Sequence, residues 1–426
     1  MLRETILFKK FFNTEDKRRL FSNFVSLSIL QGANYILPLI TLPYLVRVLG
    51  PEKFGLIAFA QAFIQYFNIL TDYGFNLSAT REISIHRENK EKISEIFSSV
   101  IIIKFGLLIL SLTIMTIIVF SFERFRQDWL IYYLTFGMVI GQALFPVWFF
   151  QGMERMKYIT FLNITAKVIF TISIFIFVHK VSDYIYVPIL NSLGYLVAGL
   201  IGIFIVLNDF NIKIHFLSFK TLKEVLINGF HFFISRVSVS IYTSTNIFVL
   251  GIFTDNKTVG YYSMAEKLYM AIQSIYYPLT NALYPYISHN KNIELFKKIF
   301  YIVVFFNIIA TIILFIFIED IMMLFFGKDI YLSVNIFKIL LISLLAVVPS
   351  ILVGYPFLAA LGYGSLANYS VVFASILHLV FISVLALFEL INVYNIALLV
   401  VFTETIVLMI RFYGIYKNKL WGNYKI

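Results

Sequence analysis

The chain has 426 residues, of which 60% are hydrophobic and only 13% are charged, and its formal net charge is +11. Soluble domains contain roughly 45–50% apolar and about 25% charged residues, so this composition excludes an ordinary soluble enzyme or binding module. The chain has no cysteine, which excludes disulfides, thiol catalysis and cysteine-ligated metal sites.

Long apolar runs follow one another along the whole chain. A helix needs roughly 17–25 mostly apolar residues to cross a bilayer, whereas strands of a membrane barrel alternate apolar and polar residues over about ten positions. The runs here are continuous, so they predict an all-α polytopic membrane protein with about twelve transmembrane helices. The predicted spans are 22–48, 54–77, 96–120, 129–151, 158–178, 184–207, 224–252, 259–287, 295–318, 332–360, 365–388 and 392–414.

The basic residues are distributed unequally between the two sides of the predicted membrane. With the N-terminus inside, 21 of the 34 Lys and Arg residues lie in inner segments, 6 lie in outer loops, and the other 7 lie within helices or at their ends. The positive-inside rule therefore places both termini in the cytoplasm. This sidedness accounts for the net charge without a nucleic-acid partner. Residues 1–21 are too charged for a secretory signal and are predicted to lie at the membrane surface.

A faint internal repeat divides the chain into two halves. Phe54-Gly55-Leu56 matches Val259-Gly260-Tyr261 at an offset of 205 residues, although a chance similarity between two helix starts explains the same match. Parallel repeats of this kind occur in transporters. The predicted organisation is an N-terminal segment 1–21, a six-helix lobe 22–207, a cytoplasmic linker 208–222, a second six-helix lobe 223–416 and a tail 417–426, with a central cavity between the lobes.

The loops are too short for a catalytic domain. The largest outer loop spans about 319–331 and the main inner loop spans 78–95, and the sequence contains neither a phosphate-binding loop nor a His-Glu-x-x-His motif. We therefore predict a protein that is not an enzyme and has no catalytic residues, metal ligands or cofactor.

Charged residues inside the predicted helices are the main indicators of a site. Arg236 lies twelve residues into the seventh helix, roughly 18 Å along its axis, which is near the middle of a ~30 Å hydrocarbon core. An unpaired arginine there costs at least ~2.5–3.5 kcal/mol, so it faces a wet cavity, an anionic substrate or a structural partner. Lys167, Glu266 and Lys267 also lie within helices, and the adjacent Glu266 and Lys267 cannot point in one direction.

Other charged residues leave two interpretations open. Asp72 and Arg81 flank Tyr73-Gly74-Phe75-Asn76 at an inner helix end, where they fit either a helix terminus or a cytoplasmic gate. Glu404, about twelve residues into the last helix, fits either proton exchange or an ion pair. Pro38 and Pro43 predict that the first helix bends. Three basic residues near helix ends are expected to be interfacial anchors, namely Lys104, Lys338 and Arg411.

The first hundred residues carry a family resemblance. Arg47-Val48-Leu49-Gly50-Pro51, Ala58-Phe59-Ala60-Gln61 and the run from Thr71 to Arg81 resemble the Wzx-type O-antigen flippases. These are polysaccharide transporters of the superfamily that includes the multidrug and toxin extruders and the MurJ lipid II flippases. The resemblance implies a bacterial inner-membrane protein that moves undecaprenyl-diphosphate-linked oligosaccharide from the inner to the outer leaflet by alternating access. It also implies a polysaccharide polymerase and a chain-length regulator as partners, besides membrane lipids.

The implied substrate gives the charged residues roles. A diphosphate in the membrane requires cations, and arginine offers forked donors that match phosphate oxygens. The predicted substrate-binding cations are Arg236, Lys267, Lys167 and Arg47, and the predicted ion-coupling or gating residues are Asp72, Glu266, Glu404 and Arg81. Two alternatives stay open: an ion-coupled exporter of small drugs with the same fold, and a non-transporting scaffold of a polysaccharide assembly complex. A polymerase or ligase is disfavoured by the short outer loops.

Overall fold

The computed structural model describes residues 15–327 and 330–422, without the side chains of residues 15–24, 27, 235, 236 and 238–243. Most of the predicted surface segment 1–21 and the end of the tail 417–426 therefore lie outside the described residues. Within the described ranges the regular secondary structure is helical. The α-helices are α1 Glu15–Asp72, α2 Phe75–Ile85, α3 Lys90–Ser121, α4 Glu123–Arg126, α5 Trp129–Leu144, α6 Val147–Gly152, α7 Met156–Phe177, α8 Tyr186–Asn208, α9 Phe219–Phe253, α10 Asn256–Ser274, α11 Tyr277–Asn290, α12 Ile293–Phe326, α13 Tyr331–Val353, α14 Gly364–Leu387 and α15 Val393–Lys417. A 3₁₀ helix, Val181–Ile185, precedes α8, and a π-helix, Gly354–Ala359, follows α13.

Helices of membrane-spanning length follow one another through the described ranges, and the prediction of an all-α multi-pass membrane protein is confirmed. Nine helical segments among the described residues are long and apolar enough to cross a bilayer, and the first of them contains two predicted spans. The predicted spans 224–252 and 259–287 fall on α9 and on α10 with α11, which are not among the nine. These helices carry more polar residues, so the exact number of twelve and the cytoplasmic termini stay predictions.

Helix α1 changes direction at Gly50, the predicted first outer turn. Gly50 has φ 70° and ψ 169°, a combination that glycine adopts without the steric cost of a side chain. Pro51 then begins the second part of α1, where the absence of an N–H costs nothing because the first turn has no partner for it. Gly50 is where the backbone of α1 leaves helical angles, so Pro38 and Pro43 do not interrupt the helix.

The chain packs into two compact units. The first contains the chain up to Thr41 together with Phe63–Val237, and the second contains Leu42–Ala62 together with the chain from Ser238 onward. Phe97, Trp148 and Phe149 are fully buried in the core of the first unit, and Phe296 and Phe357 are fully buried in that of the second. Helices α1 and α9 therefore each contribute to both units. The lobe boundaries predicted from the repeat stay a prediction, because grouping by contact does not locate a repeat.

Two glycines at equivalent positions of the predicted repeat pack reciprocally within the second unit. A Cβ on Gly55 would overlap the carbonyl of Asn256 and lie 2.5 Å from the nitrogen of Gly260, and a Cβ on Gly260 would overlap the carbonyl of Pro51. Pro51 and Asn256 are themselves 205 residues apart, as are Gly55 and Gly260. Such an exchange of partners is what a two-fold relation produces. The contact supports the predicted repeat.

Candidate functional site

Lys167 is a basic side chain held inside the first unit. It lies on α7, is half-buried, and its Nζ donates a 2.7 Å hydrogen bond to Oδ1 of Asn34 on α1. Asparagine can accept this bond without neutralising the ammonium charge. The hydrogen-bond partner of the amine is therefore a neutral side chain, an arrangement that suits an anionic ligand.

The two arginines predicted to bind substrate are placed differently. The side chain of Arg47 is exposed, and its guanidinium donates to the carbonyl of Leu324 near the C-terminal end of α12 in the second unit. That carbonyl belongs to the last turn of its helix, where carbonyl groups lack helical partners and favour a cation. Arg236 lies in α9, but its side chain lies outside the described residues. Its predicted role stays a prediction.

Asp72 and Lys104 form a polar cluster in the first unit. Asp72 ends α1 and accepts a 2.6 Å hydrogen bond from Nδ2 of Asn76. Lys104, in the middle of α3, is only 4% exposed and interacts electrostatically with Asp72. The expectation that Lys104 is an interfacial anchor is therefore wrong. Asp72 therefore provides negative charge near the buried amine of Lys104.

The residues after Asp72 contact the first part of α9 within the first unit. Tyr73 and Gly74 both have positive φ, at 47° and 74°. A Cβ on Gly74 would lie 2.8 Å from the backbone carbon of Phe232, so this close approach requires glycine. The ring of Tyr73 stacks on that of Phe233 with centroids 4.8 Å apart and an interplanar angle of 12°. Arg81, further along α2, is exposed.

The two predicted coupling acids of the second unit have a tyrosine in common. Glu266 on α10 is 8% exposed and interacts with Lys267, which is half-buried. Tyr269, one turn later, interacts electrostatically with both Glu266 and Glu404 of α15, and its hydroxyl lies 2.6 Å from Oγ of Ser343. The structure therefore brings two acids that are distant in sequence into one polar region.

The sequence did not indicate two buried basic residues of the second unit as site residues. His378 in the middle of α14 is fully buried, and its ring nitrogens lie 2.8 Å from Oγ1 of Thr403 and 2.9 Å from Oδ1 of Asn246. Arg411 on α15 is 6% exposed and bonds to Ser350 and Ser370, so it is not the interfacial anchor that was expected. The histidines were considered in the sequence only as metal ligands. The position of His378 deep within an apolar run was the signal that could have identified it as a site candidate.

The described part of the chain has no group of three or more His, Asp or Glu side chains that could hold a metal ion. The polar side chains of these regions offer hydrogen bonds and charge to a ligand. The two units carry different sets of polar and charged side chains. The first has Lys167 with Asn34 and Lys104 with Asp72, and the second has Glu266, Lys267 and Glu404 beside the His378 network.

Comparison with known proteins decides the family. The family described as "Polysaccharide biosynthesis protein" matches residues 20–291, which is more than half of the chain. The chain belongs to this family.

A protein of Escherichia coli (strain K12) named "Putative O-antigen transporter" is 36% identical over 273 residues, or 64% of this chain. A protein of the same name in Shigella dysenteriae is 29% identical over 279 residues, which cover 65% of this chain and 69% of the relative. The match spans 66% of the E. coli protein, slightly less than two thirds of its length.

Solved structures confirm the fold of this polysaccharide biosynthesis protein. The lipid II flippase MurJ in an inward closed conformation superposes with a TM-score of 0.71 and 14% identity, covering 93% of this chain and 87% of that one. An inward-facing multidrug resistance MATE family transporter of the MOP superfamily gives a TM-score of 0.67 and 15% identity over 95% of this chain and all of that one. The family predicted from the first hundred residues is therefore confirmed, and so is a multi-pass membrane location, with helical spans that suit a bacterial inner membrane.

Proposed function

We propose that this protein is a flippase that moves undecaprenyl-diphosphate-linked oligosaccharide repeat units, of O-antigen or a similar surface polysaccharide, from the inner to the outer leaflet of the bacterial inner membrane. The observation that carries the proposal is the polysaccharide-biosynthesis family match over residues 20–291 in a chain with the fold of a lipid II flippase. Alternating access between the two sides of the membrane is the proposed mechanism. The protein acts on lipid-linked sugar without changing its covalent bonds, so it is a transporter and not an enzyme.

The basic residues within the membrane support an anionic substrate. Lys167 is positioned by the neutral Asn34, so its charge is available to a diphosphate. Arg236 lies in α9, and the sequence predicts that it is near the middle of the membrane, where an arginine offers two parallel donors to phosphate oxygens. Lys267 is the third proposed contact. Arg47 is exposed and bonded to the carbonyl of Leu324, so we assign it to the outer end of the substrate path.

The proposal extends to the partners of the reaction. The lipid-linked unit has to be supplied on the cytoplasmic side and polymerised after translocation. A polysaccharide polymerase and a chain-length regulator that act on this product are therefore the proposed functional partners, together with the membrane lipids around the helices.

A second candidate function is an ion-coupled exporter of small cationic molecules. The observation that favours it is the pair of acids, Glu266 and Glu404, that share Tyr269 in the second unit. Such an exporter would protect cells from cationic drugs, whereas a flippase would not. Drug sensitivity of a deletion strain, measured beside its surface polysaccharide, separates the two functions.

The proposal is tested by replacing Arg236 in a strain that depends on this protein for its surface polysaccharide. Arg236→Ala should lower export at least about tenfold, since loss of a charge-assisted bond costs about 1.5–3 kcal/mol. Arg236→Lys should restore part of the export, because lysine returns the positive charge but not the two parallel donors of the guanidinium group. Membrane protein levels are measured in parallel. Normal export by a well-expressed Arg236→Ala variant contradicts the proposed substrate binding.

A further inference from the structure

The buried histidine of the second unit connects three helices. His378 lies fourteen residues into α14, roughly 21 Å along the axis at about 1.5 Å per residue, and its side chain is fully buried. One ring nitrogen, Nδ1, lies 2.8 Å from Oγ1 of Thr403 on α15, and the other, Nε2, lies 2.9 Å from Oδ1 of Asn246 on α9. Both nitrogens are therefore engaged by side chains of neighbouring helices.

The hydrogen atoms in this network can be assigned in part from its geometry. The hydroxyl of Thr403 donates a 2.7 Å hydrogen bond to the carbonyl of Leu399, so its oxygen is left to accept a bond from Nδ1–H of His378. On the other side, Nε2 faces the amide oxygen of Asn246, which can only accept. The ring satisfies both partners when it carries a proton on each nitrogen.

The same network also accepts the neutral ring. If Nε2 loses its proton, a half-turn of the Asn246 amide presents its NH₂ group to the bare nitrogen, and the hydrogen bond reverses direction. Both protonation states of His378 thus keep two hydrogen bonds, so neither state leaves a buried polar atom of the ring unpaired. Histidine is the side chain whose unperturbed titration falls closest to neutral pH.

The elements around α14 carry several titratable and charged groups. Glu404 follows Thr403 on α15 and interacts with Tyr269 of α10, which also interacts with Glu266. Arg411, two turns further along α15, bonds to Ser350 and Ser370. In the outer part of α9, the described side chains from Ser244 onward include no titratable group, and Tyr355 is the titratable residue of the π-helix.

We propose that His378 is the binding site of the coupling proton, and this rests on the proposed transport function. Protonation turns the bond to Asn246 into a charge-assisted one, which is roughly twice as strong as a neutral bond. Asn246 belongs to α9, whose residues up to Val237 pack in the first unit and whose residues from Ser238 pack in the second. Proton binding therefore changes how strongly α9 is attached to α14.

Transport by the full-length protein in proteoliposomes provides the first test. Vesicles with undecaprenyl-diphosphate-linked repeat units are given either a pH gradient or a sodium gradient. The wild-type protein should respond to the pH gradient, with up to about tenfold faster flipping per pH unit, and not to sodium. His378→Gln should lose this stimulation. The control is His289→Gln, an exposed histidine of the same unit, which should behave as wild type.

A titration that needs no transport provides the second test and remains informative if His378→Gln folds poorly. Purified protein with ¹³C-labelled histidine should show one resonance that is absent from the His378→Gln or His378→Asn spectrum and that shifts as the pH is varied. Asn246→Ala should move that resonance. A His378 resonance that does not titrate, or stimulation by the pH gradient that survives in His378→Gln, overturns the proton site. Absence of flipping by wild type under every gradient contradicts the proposed function instead, whatever the titration shows.

Discussion

Buried charged side chains in this protein are held by specific partners from neighbouring helices. Lys104 has Asp72, Lys167 has Asn34, and Arg411 has the hydroxyls of Ser350 and Ser370. The partner of Lys104 is an acid, whereas the partners of the other two are neutral. The position of a basic residue in the sequence does not reveal whether its partner is an acid or a neutral side chain, but the structure does. Lys104 and Arg411 accordingly stabilise their own units, and Lys167 remains suited to an anionic ligand.

We expect Asp72 and Lys104 to depend on each other for stability. Asp72→Asn removes the negative charge that interacts with the buried Lys104, and losing one partner of such an interaction costs at most about 3–5 kcal/mol, the value for a fully buried pair. Replacing both residues, as Asp72→Asn with Lys104→Met, should recover most of that loss because no buried charge remains. Thermal unfolding of the purified variants in detergent measures the effect. A double variant that is less stable than either single variant contradicts the pairing.

Lys167 should contribute directly to transport. Lys167→Ala removes a positioned cation and should lower polysaccharide export by roughly ten- to a hundredfold, the equivalent of about 1.5–3 kcal/mol for a charged hydrogen bond. Lys167→Arg keeps the charge and should retain most of the export. Lys298→Ala, which removes an exposed lysine of α12, is the matched control. Equal export by the Lys167→Ala and Lys298→Ala variants would show that Lys167 is only structural.

The distance of a charged residue from the end of its predicted helix identified some of the buried residues and missed others. The sequence placed Lys167 and Glu266 well inside their spans, and the structure finds both partly or fully covered by protein. The same reasoning assigned Lys104 and Arg411 to the interface, because distance from a helix end does not reveal which way a side chain faces. That direction depends on packing against other helices. The predicted binding and coupling roles of all eight site residues stay predictions.

Close packing between helices gives a prediction at the level of elements. Gly55→Ala and Gly260→Ala each place a methyl group against a backbone carbonyl, of Asn256 and Pro51 respectively, and backbone cannot yield as a side chain can. Each should destabilise the protein by about 1–3 kcal/mol, as overpacking does. Gly106→Ala in α3, where a Cβ would meet nothing within 4 Å, is the control and should be neutral or stabilising. Melting temperatures in detergent test this, and unchanged values for Gly55→Ala and Gly260→Ala would contradict the reciprocal contact.

The helices themselves were predicted from hydrophobic runs with good accuracy, but their interruptions were not. Spans 96–120 and 158–178 lie within or close to α3 and α7. The predicted span 259–287 is instead divided into α10 and α11, where Pro278 lies in the first turn of α11. The span 332–360 ends in the π-helix Gly354–Ala359. An apolar run indicates length and burial, whereas a break depends on individual backbone hydrogen bonds that hydropathy does not contain.

At the scale of the whole molecule, composition and charge sidedness identified a multi-pass membrane protein, and short motifs in its first hundred residues identified the family. The match to polysaccharide biosynthesis proteins over residues 20–291 confirms the second of these. The His378 network could not be predicted in this way, because its three members come from α9, α14 and α15, far apart in the sequence. A contact between distant helices is visible only after the chain has folded.

The location of the accumulated intermediate in a deletion strain shows whether this protein moves a lipid-linked sugar across the inner membrane. Surface polysaccharide and undecaprenyl-linked repeat units would be assayed together, with the units probed separately from each face of the membrane. We predict loss of the surface polymer and single repeat units that are trapped on the cytoplasmic face. Single units that are accessible from the periplasmic face would contradict the account, because translocation would then have occurred without this protein.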